Sequence, residues 1–503
     1  MGGNYERGIY NHLMDVMSRL EKVEAELQQE KRAHKEEVLC LRGKIAKLEE
    51  ENQKLRVENE LLRNEIARLK SIINNDSTNT SLPPSSDRNK PKKPRAANTF
   101  NSREKGKRKA GGQKGHKGVC LSRSDVEEKI RSGKCCHEIK TIGDTGSGRY
   151  KVKYVIDLDV EPVITEVRIY ANESGKYEIP KEYANDVSYG AKVKALCVCL
   201  YSEGVMSNDR IASFLNGAGK GELGLSEGSV YNFCRCFGKK AEVEVEKLEE
   251  EQLNQEVVCS DATTVKVNGE QCYIRNFSTA MTVIYRAMRN KGLDALNRLE
   301  FLKRFSGTFV HDHETAMYHF GTRHGECNVH IIRYLKKNTE DTGNEWSSKM
   351  ISALCEMNDK RKEYMRGNQM EFSDEQIREY EQRYHEILSE GREQNKNTRH
   401  EYARQDEKAL LNRMENYSEN HLLFLHDFKV PFDNNMSERD LRKVKNRQKM
   451  AGGFRKDSGH EMYCAILSFI ETMKRRGIDI IDAILGLFVS PPSYSPSPLG
   501  AEL

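Results

Sequence analysis

Residues 257–288 read VVCSDATTVKVNGEQCYIRNFSTAMTVIYRAM. β-Branched and aromatic residues alternate with polar ones, a pattern that predicts strands. Asn268-Gly269 marks a tight hairpin, because both residues accept the positive φ that a two-residue turn demands. Cys272–Thr279 and Thr282–Met288 continue as strands. A three-stranded antiparallel meander is expected, with Asp261 on its first strand. A helix is expected over 293–303. Gly307-Thr308-Phe309-Val310-His311-Asp312 then reads as a short strand ending in an acid.

Strand, strand, strand, helix, strand is the order of a ribonuclease-H-like α/β core, in which carboxylates at neighbouring strand ends converge on divalent cations. A third acid is expected from a later helix. Pro431-Phe432-Asp433-Asn434-Asn435-Met436-Ser437-Glu438-Arg439 suits that role, with Asp433 or Asn434 as the cap and Glu438 in the early turns. Glu438 is also spaced to pair with Arg442 at i, i+4. Arg439, Arg442, Lys443, Lys445, Arg447 and Lys449 follow, so cation, phosphate and carboxylate can share one neighbourhood. The long gap between Asp312 and Glu438 holds charged, mostly helical sequence from Trp346 to Leu423, read as an insertion at about 340–425.

Asp261, Asp312 and Glu438 are therefore the candidate catalytic and metal-binding residues. Mg²⁺ is a hard ion that takes oxygen ligands and keeps several waters, so two or three carboxylates suffice. Two such ions about 3.5–4 Å apart can clamp the attacking and leaving oxygens of an in-line phosphoryl transfer. Asp261 is expected to bridge both, with Asp312 and Glu438 holding one each.

Upstream, residues 191–253 have a helical pattern. Ser207–Leu215 and Ser226–Phe237 resemble a helix–turn–helix pair, with Ser226 and Ser229 as candidate caps. Lys151–Tyr170 reads as two strands around Glu161-Pro162. Cys135-Cys136-His137 looks like part of a metal site, but a structural zinc needs four ligands and no second pair appears before Cys197. Cys197, Cys199, Cys234 and Cys236 lie in apolar surroundings and read as small core residues.

At the amino end, leucines recur every seven residues at Leu13, Leu20 and Leu27, then at Leu41, Leu48, Leu55, Leu62 and Leu69. Val38, Ile45, Asn52, Asn59, Ile66 and Ile73 take the a positions. This seam predicts a parallel two-stranded coiled coil. The helix is expected to stop at Asn74-Asn75-Asp76. A Ser/Pro-rich stretch follows, and Arg88–Lys117 carries twelve Lys or Arg against one acid, Glu104. Lys92, Lys93, Arg95, Lys107, Arg108, Lys109, Lys114 and Lys117 are candidate phosphate contacts. A zipper transcription factor would need a continuous basic helix entering the zipper from the amino side, and here the basic block follows the zipper and contains prolines.

The chain has 503 residues, enough for several domains. Net charge is only +5, from 82 basic and 77 acidic residues, so the charge is segregated and not in excess. No apolar run approaches the roughly 18 residues of a spanning helix. No apolar segment follows Met1, so no secretory leader is expected. The thirteen cysteines are expected to be free thiols in a reducing cytoplasm.

Several segments together resemble the transposases of the bacterial insertion sequence 66 family, which carry a DDE catalytic domain. They are NTSLPPSSD (79–87), GGQKGHKG (111–118), CSDAT (259–263), VHDH (310–313) and PFDNNMSERDLRKVKNRQKMAGGFRKDSG (431–459). The resemblance implies Asp261, Asp312 and Glu438 as the catalytic triad and a ribonuclease-H-like fold. It implies dependence on Mg²⁺ or Mn²⁺, with two ions. The reaction implied is cutting and rejoining double-stranded DNA at transposon ends, in the cytoplasm, associated with the nucleoid. Arg439 would serve the phosphate or the helix scaffold. The family's zinc segment survives only as Cys135, Cys136 and His137, so zinc is not expected. Its Cys-Trp-x-His-like string appears as Cys327-Asn328-Val329-His330.

The expected organisation is a coiled-coil dimerisation helix (1–75), a basic DNA-contacting linker (76–118) and a small β-rich domain (119–190). A helical, DNA-binding region (191–253), the catalytic domain (254–460) and a carboxy-terminal helix with a tail (461–503) complete it. The rival readings are a non-catalytic DNA-binding regulator derived from such an enzyme, and a metal-dependent nuclease acting on RNA.

Overall fold

The computed structural model describes residues 3–75, 121–133, 135–142, 151–156, 158, 160–180 and 183–489. The basic linker and the tail after Val489 lie outside the described residues. In chain order the helices before the sheet are α1 (Gly3–Asn74), α2 (Arg123–Arg131), α3 (Ala191–Ser202), α4 (Asn208–Ala218) and α5 (Glu227–Leu253). Then come β1 (Val257–Val267), β2 (Glu270–Ser278), β3 (Val283–Met288), α6 (Leu293–Leu296), α7 (Glu300–Arg304), β4 (Thr308–His311) and β5 (Arg323–Glu326). From there the chain is helical: α8 (Asn328–Thr342), α9 (Trp346–Arg366), α10 (Asp374–Lys396), α11 (Glu401–Asn416), α12 (Ser418–His426), α13 (Asn435–Ala451), α14 (Asp457–Arg475) and α15 (Ile480–Val489). No helix among the described residues is long and apolar enough to cross a membrane.

The chain divides into two compact units, Met1–Lys90 with Arg333–Met350 and Glu386–Arg413, and the remainder. The first contains α1, whose heptad leucines are about half exposed: Leu41 49%, Leu48 59%, Leu55 50%, Leu62 55% and Leu69 45%. Ser71 near its end donates to Asp341 Oδ2 at 2.8 Å. Within this unit the buried Glu407 carboxylate accepts from Asn338, Asn344, Asn395, Thr398 and the Trp346 indole. Burial alone would raise its pKa, but those donors hold it below the ordinary value.

The second unit is built on one five-stranded sheet in the order β3-β2-β1-β4-β5. β1, β2 and β3 run antiparallel, while β4 and β5 lie parallel to β1. Asn268 and Gly269 both take positive φ, at 51° and 83°, and make the expected two-residue hairpin. One face of the sheet packs Val265, Val267, Ile274, Val283 and Tyr285 against Tyr463, Ile466, Phe469 and Ile470 of α14. The other packs Val258, Phe277, Ile284 and Phe309 against Val245 and Leu248 of α5 and the rings of Phe301 and Phe305.

Four expectations differ, in whole or in part, from the structure. The helix expected over 293–303 forms as two short helices, α6 and α7, because Leu299 is extended at φ −92° and ψ 95°. Leu296, Phe301 and Leu302 are all buried, and their spacing does not place them on one helical face, so the chain breaks to bury all three. The two strands expected over 151–170 are absent among the described residues, and Val155, Val163 and Ile164 are 91%, 86% and 96% exposed. Alternation alone does not make a strand, which needs a ladder partner and a face to bury. Cys197 and Cys234 are core residues as expected, whereas Cys236 is exposed and Cys199 half-buried. Of the two proposed caps, Ser226 accepts the Ser229 N–H at 3.1 Å and caps α5, leaving Ser229 inside the first turn.

After α13, Gly452 takes φ 78° and Gly453 lies flat against the end of β1. Phe454 N–H donates to Lys266 O at 2.8 Å, and Asn268 N–H donates to Phe454 O at 2.7 Å. A Cβ on Gly453 would come within 2.6 Å of the Lys266 carbonyl oxygen. Gly453→Ala is therefore expected to destabilise the protein by about 2 kcal/mol through overpacking, read as a lower urea midpoint. An unchanged midpoint would contradict this close approach.

Candidate active site

Strand parity fixes which face each acid occupies. Successive side chains of a strand point to opposite faces, so Cys259 and Asp261 share a face. β1 pairs with β4 through Cys259↔Val310. Asp312 follows directly on β4, and its charge acts on Asp261.

Across β1, Asp261 pairs with Asn276 of β2. The Asn276 carboxamide works as a junction. Its Oδ1 accepts the Asp261 N–H at 3.1 Å and the Ser437 hydroxyl at 2.6 Å, and its Nδ2 donates to Ser437 O at 3.0 Å. Asn434 adds a second tie, donating from Nδ2 to Ser260 O at 2.8 Å and from its N–H to Cys327 Sγ at 3.3 Å. Asn434 occupies the N-cap position of α13, but its side chain makes no cap bond; it is spent on β1. Asp433 Oδ1 instead accepts the Asn435 N–H at 3.0 Å. Ser437, Leu441 and Val444 are the buried face of α13. Glu438, next to Ser437 on the helix, is thereby brought to the two aspartates.

His330 marks the meeting point. It sits in the first turn of α8, directly after β5, and is 6% exposed. Its Nε2 is 3.3 Å from Asp312 Oδ2 and 3.9 Å from Glu438 Oε1. Ligand atoms of Cys327, His330 and Glu438 lie within 4.8 Å of one another. Asp261 belongs to the same field. Its pKa is raised first by burial, and further by the Asp312 charge, while the Ala262 N–H, Lys291 and His330 pull it down. Carboxylates gathered in a buried place repel each other, and a bound cation relieves that repulsion. The donors that lie together, Cys327, His330 and Glu438 with Asp312 beside the imidazole, suit a divalent metal ion.

The turn after Asp312 is held from behind. His313 adopts φ 41°, a conformation non-glycine residues rarely take, and its Nδ1 meets the buried Glu326 carboxylate. Glu326 also accepts from Tyr318 and lies 3.1 Å from His421 Nε2. His311 and His324 share an N···N contact of 3.2 Å, and burial lowers their pKa values to about 3 and about 4, so both are neutral near pH 7. The fully buried Arg275 donates to Ser260 Oγ and Glu314 on the same side.

A family model described as Transposase IS66 family matches residues 187–462, more than half of the chain and all three acids. The chain belongs to the IS66 transposase family. A second model, described as a family of unknown function, matches residues 24–121. No curated protein matches the chain.

In this family member the basic residues of α13 divide into two sets. Arg439, Arg442, Lys445 and Lys449 are exposed. Lys443 is ion-paired with Glu203 and Glu471, and the Arg447 guanidinium lies 4.1 Å above the Tyr201 ring and 4.7 Å above the Tyr463 ring. Of the expected phosphate contacts on α13, then, Lys443 and Arg447 are committed to internal contacts. Lys92, Lys93, Arg95, Lys107, Arg108, Lys109, Lys114 and Lys117 lie outside the described residues.

Asn276, Ser437 and His330 received no role in the sequence reading. A signal for the first was present, since a two-residue turn at Asn268-Gly269 places 276 across from 261. Asn276→Ala removes the junction and leaves buried groups of β1 and α13 without it. A loss of about 2 kcal/mol is expected, measured by urea unfolding with the helical signal of the native state retained. No change in stability would mean that Asn276 does not hold α13 to the sheet.

Proposed function

We propose that the protein is a DDE transposase that cleaves DNA at insertion-sequence ends and joins the freed strand to target DNA. The observation that carries this reading is that Asp312 and Glu438 lie 3.3 Å and 3.9 Å from one buried imidazole, with the Asp312 charge acting on Asp261. The sheet order β3-β2-β1-β4-β5, with β2 antiparallel to β1, supports a ribonuclease-H-like core. Asp261, Asp312 and Glu438 would hold the divalent ions, Mg²⁺ or Mn²⁺. Bound there, such ions supply Lewis-acid activation of the attacking hydroxyl and neutralise charge building on the phosphate. Asp261, on which the Asp312 charge acts, would take part in both positions. Asn276, Ser437 and Asn434 keep the acids in place without touching substrate. Arg439 and Arg442, exposed beside Glu438, would take flanking phosphates, and the basic linker at 88–117 would track the DNA backbone.

The exposed leucine seam of α1 supports dimerisation through a parallel coiled coil, which would bring two catalytic chains to paired DNA ends.

Purified protein incubated with a duplex carrying insertion-sequence ends is expected to release 3′-hydroxyl ends in Mg²⁺ or Mn²⁺ and none in EDTA. Asp261→Asn, Asp312→Asn and Glu438→Gln should each lower cleavage by about 10³-fold or more, as expected for groups that act together, with the fold kept. Cleavage that survives EDTA would remove the metal-dependent reading. On light scattering the native chain should run at twice its chain mass, and the double variant Leu48→Glu/Leu55→Glu at the monomer mass. A monomeric native chain would end the coiled-coil assignment.

A further inference from the structure

We propose that His330 is a direct nitrogen ligand of one of the two cation positions, shared with Asp312 and Glu438, and that this position favours a first-row transition-metal ion over Mg²⁺. The inference rests on the reading of the three acids as a cation site. It concerns a residue outside that triad.

Three observations support it. His330 is held where α8 leaves β5: Cys327 N–H donates to His311 O at 3.0 Å, and His330 N–H to Cys327 O at 3.0 Å. Asn328, two residues before it, is fixed too, donating from its N–H to Phe432 O at 3.1 Å and from Nδ2 to His421 O at 2.9 Å. A surface histidine would not be anchored on both strand and loop. Second, the imidazole is almost wholly buried and its Nε2 points between two acids, 3.3 Å from one and 3.9 Å from the other. Donor atoms on adjacent corners of an octahedron lie about 3 Å apart when each is about 2.1 Å from the ion. The Asp312 separation is close to that figure, and the Glu438 separation falls between it and the about 4.2 Å of opposite corners. Third, the site mixes donor types. Mg²⁺ takes oxygen donors almost exclusively, whereas transition-metal ions accept imidazole nitrogen readily. The Cys327 sulfur, although near, is engaged by the Asn434 N–H and serves the junction with α13.

Mn²⁺ and Mg²⁺ binding to the full chain without DNA would be measured by calorimetry, and the Mn²⁺-loaded protein by pulsed electron paramagnetic resonance. The native protein is expected to bind Mn²⁺ at least roughly tenfold more tightly than Mg²⁺ at one position, the scale on which ligand-sphere changes act. It should also show modulation from a directly coordinated ¹⁴N. His330→Gln, which offers an amide oxygen of similar reach, should keep Mg²⁺ binding, lose the Mn²⁺ preference and lose the ¹⁴N signal. His330→Ala serves as a second variant, and a thermal melt checks that each is folded. Nitrogen modulation absent from the native protein, or a preference unchanged in a folded His330→Gln, would overturn the proposal while leaving the acid site intact. No saturable binding of either ion by the native chain would overturn both this inference and the acid-site reading.

Discussion

The Asn276 carboxamide is the contact on which the catalytic arrangement depends. It reaches the backbone of Asp261 on one side and both the hydroxyl and the carbonyl of Ser437 on the other. With Asn434 on Ser260 and Ser278 on Asp440, it adds direction to the apolar packing of Leu441 and Val444, which by itself tolerates sliding and rotation that hydrogen bonds forbid. Glu438 is one residue from Ser437. Its place beside the aspartates is therefore set by a polar junction, at the cost of desolvating an amide and a hydroxyl. Such a cost is recovered only when every member is paired.

Charge is distributed with the same economy. Ion pairs such as Lys443 with Glu203 and Glu471, or Arg475 with Asp440, brace the far side of α13 and α14. Near His330, burial first and the Asp312 charge after it raise the pKa of Asp261. Neutralising such a cluster is favourable for any divalent cation of suitable size. The strained turn at His313 and the buried Glu326 behind it keep Asp312 from swinging away from its neighbours. Rigidity is what a site needs when catalysis comes mainly from positioning and electrostatics.

Much of this arrangement was written locally. The Asn268-Gly269 turn fixes the β1–β2 register, and with it the pairing of 261 with 276. The Gly307–Asp312 stretch reads as a short strand ending in an acid, and β4 runs from Thr308 to His311 with Asp312 directly after it. The Pro431–Glu438 stretch announces a helix start with an acid in its first turn, and α13 begins at Asn435. Local patterning misled where stability came from elsewhere. Residues 151–170 alternate as a strand does, yet no partner strand is present among the described residues. The 293–303 segment has helical composition, yet Leu296, Phe301 and Leu302 can all be buried only if the helix breaks. The basic row of α13 looked uniform, but Lys443 and Arg447 face acids and rings from α3 and α14 that no sequence window could anticipate.

The sequence alone determined the β1–β3 meander and its hairpin register, the heptad spacing and the candidacy of the three acids, because each depends on residues close together along the chain. Tertiary structure decided which cations face inward, which asparagine joins sheet to helix, and that His330 stands between Asp312 and Glu438. Those outcomes depend on contacts between segments tens to hundreds of residues apart. Such contacts are chosen by packing and hydrogen-bond satisfaction over the whole fold, not by local propensity.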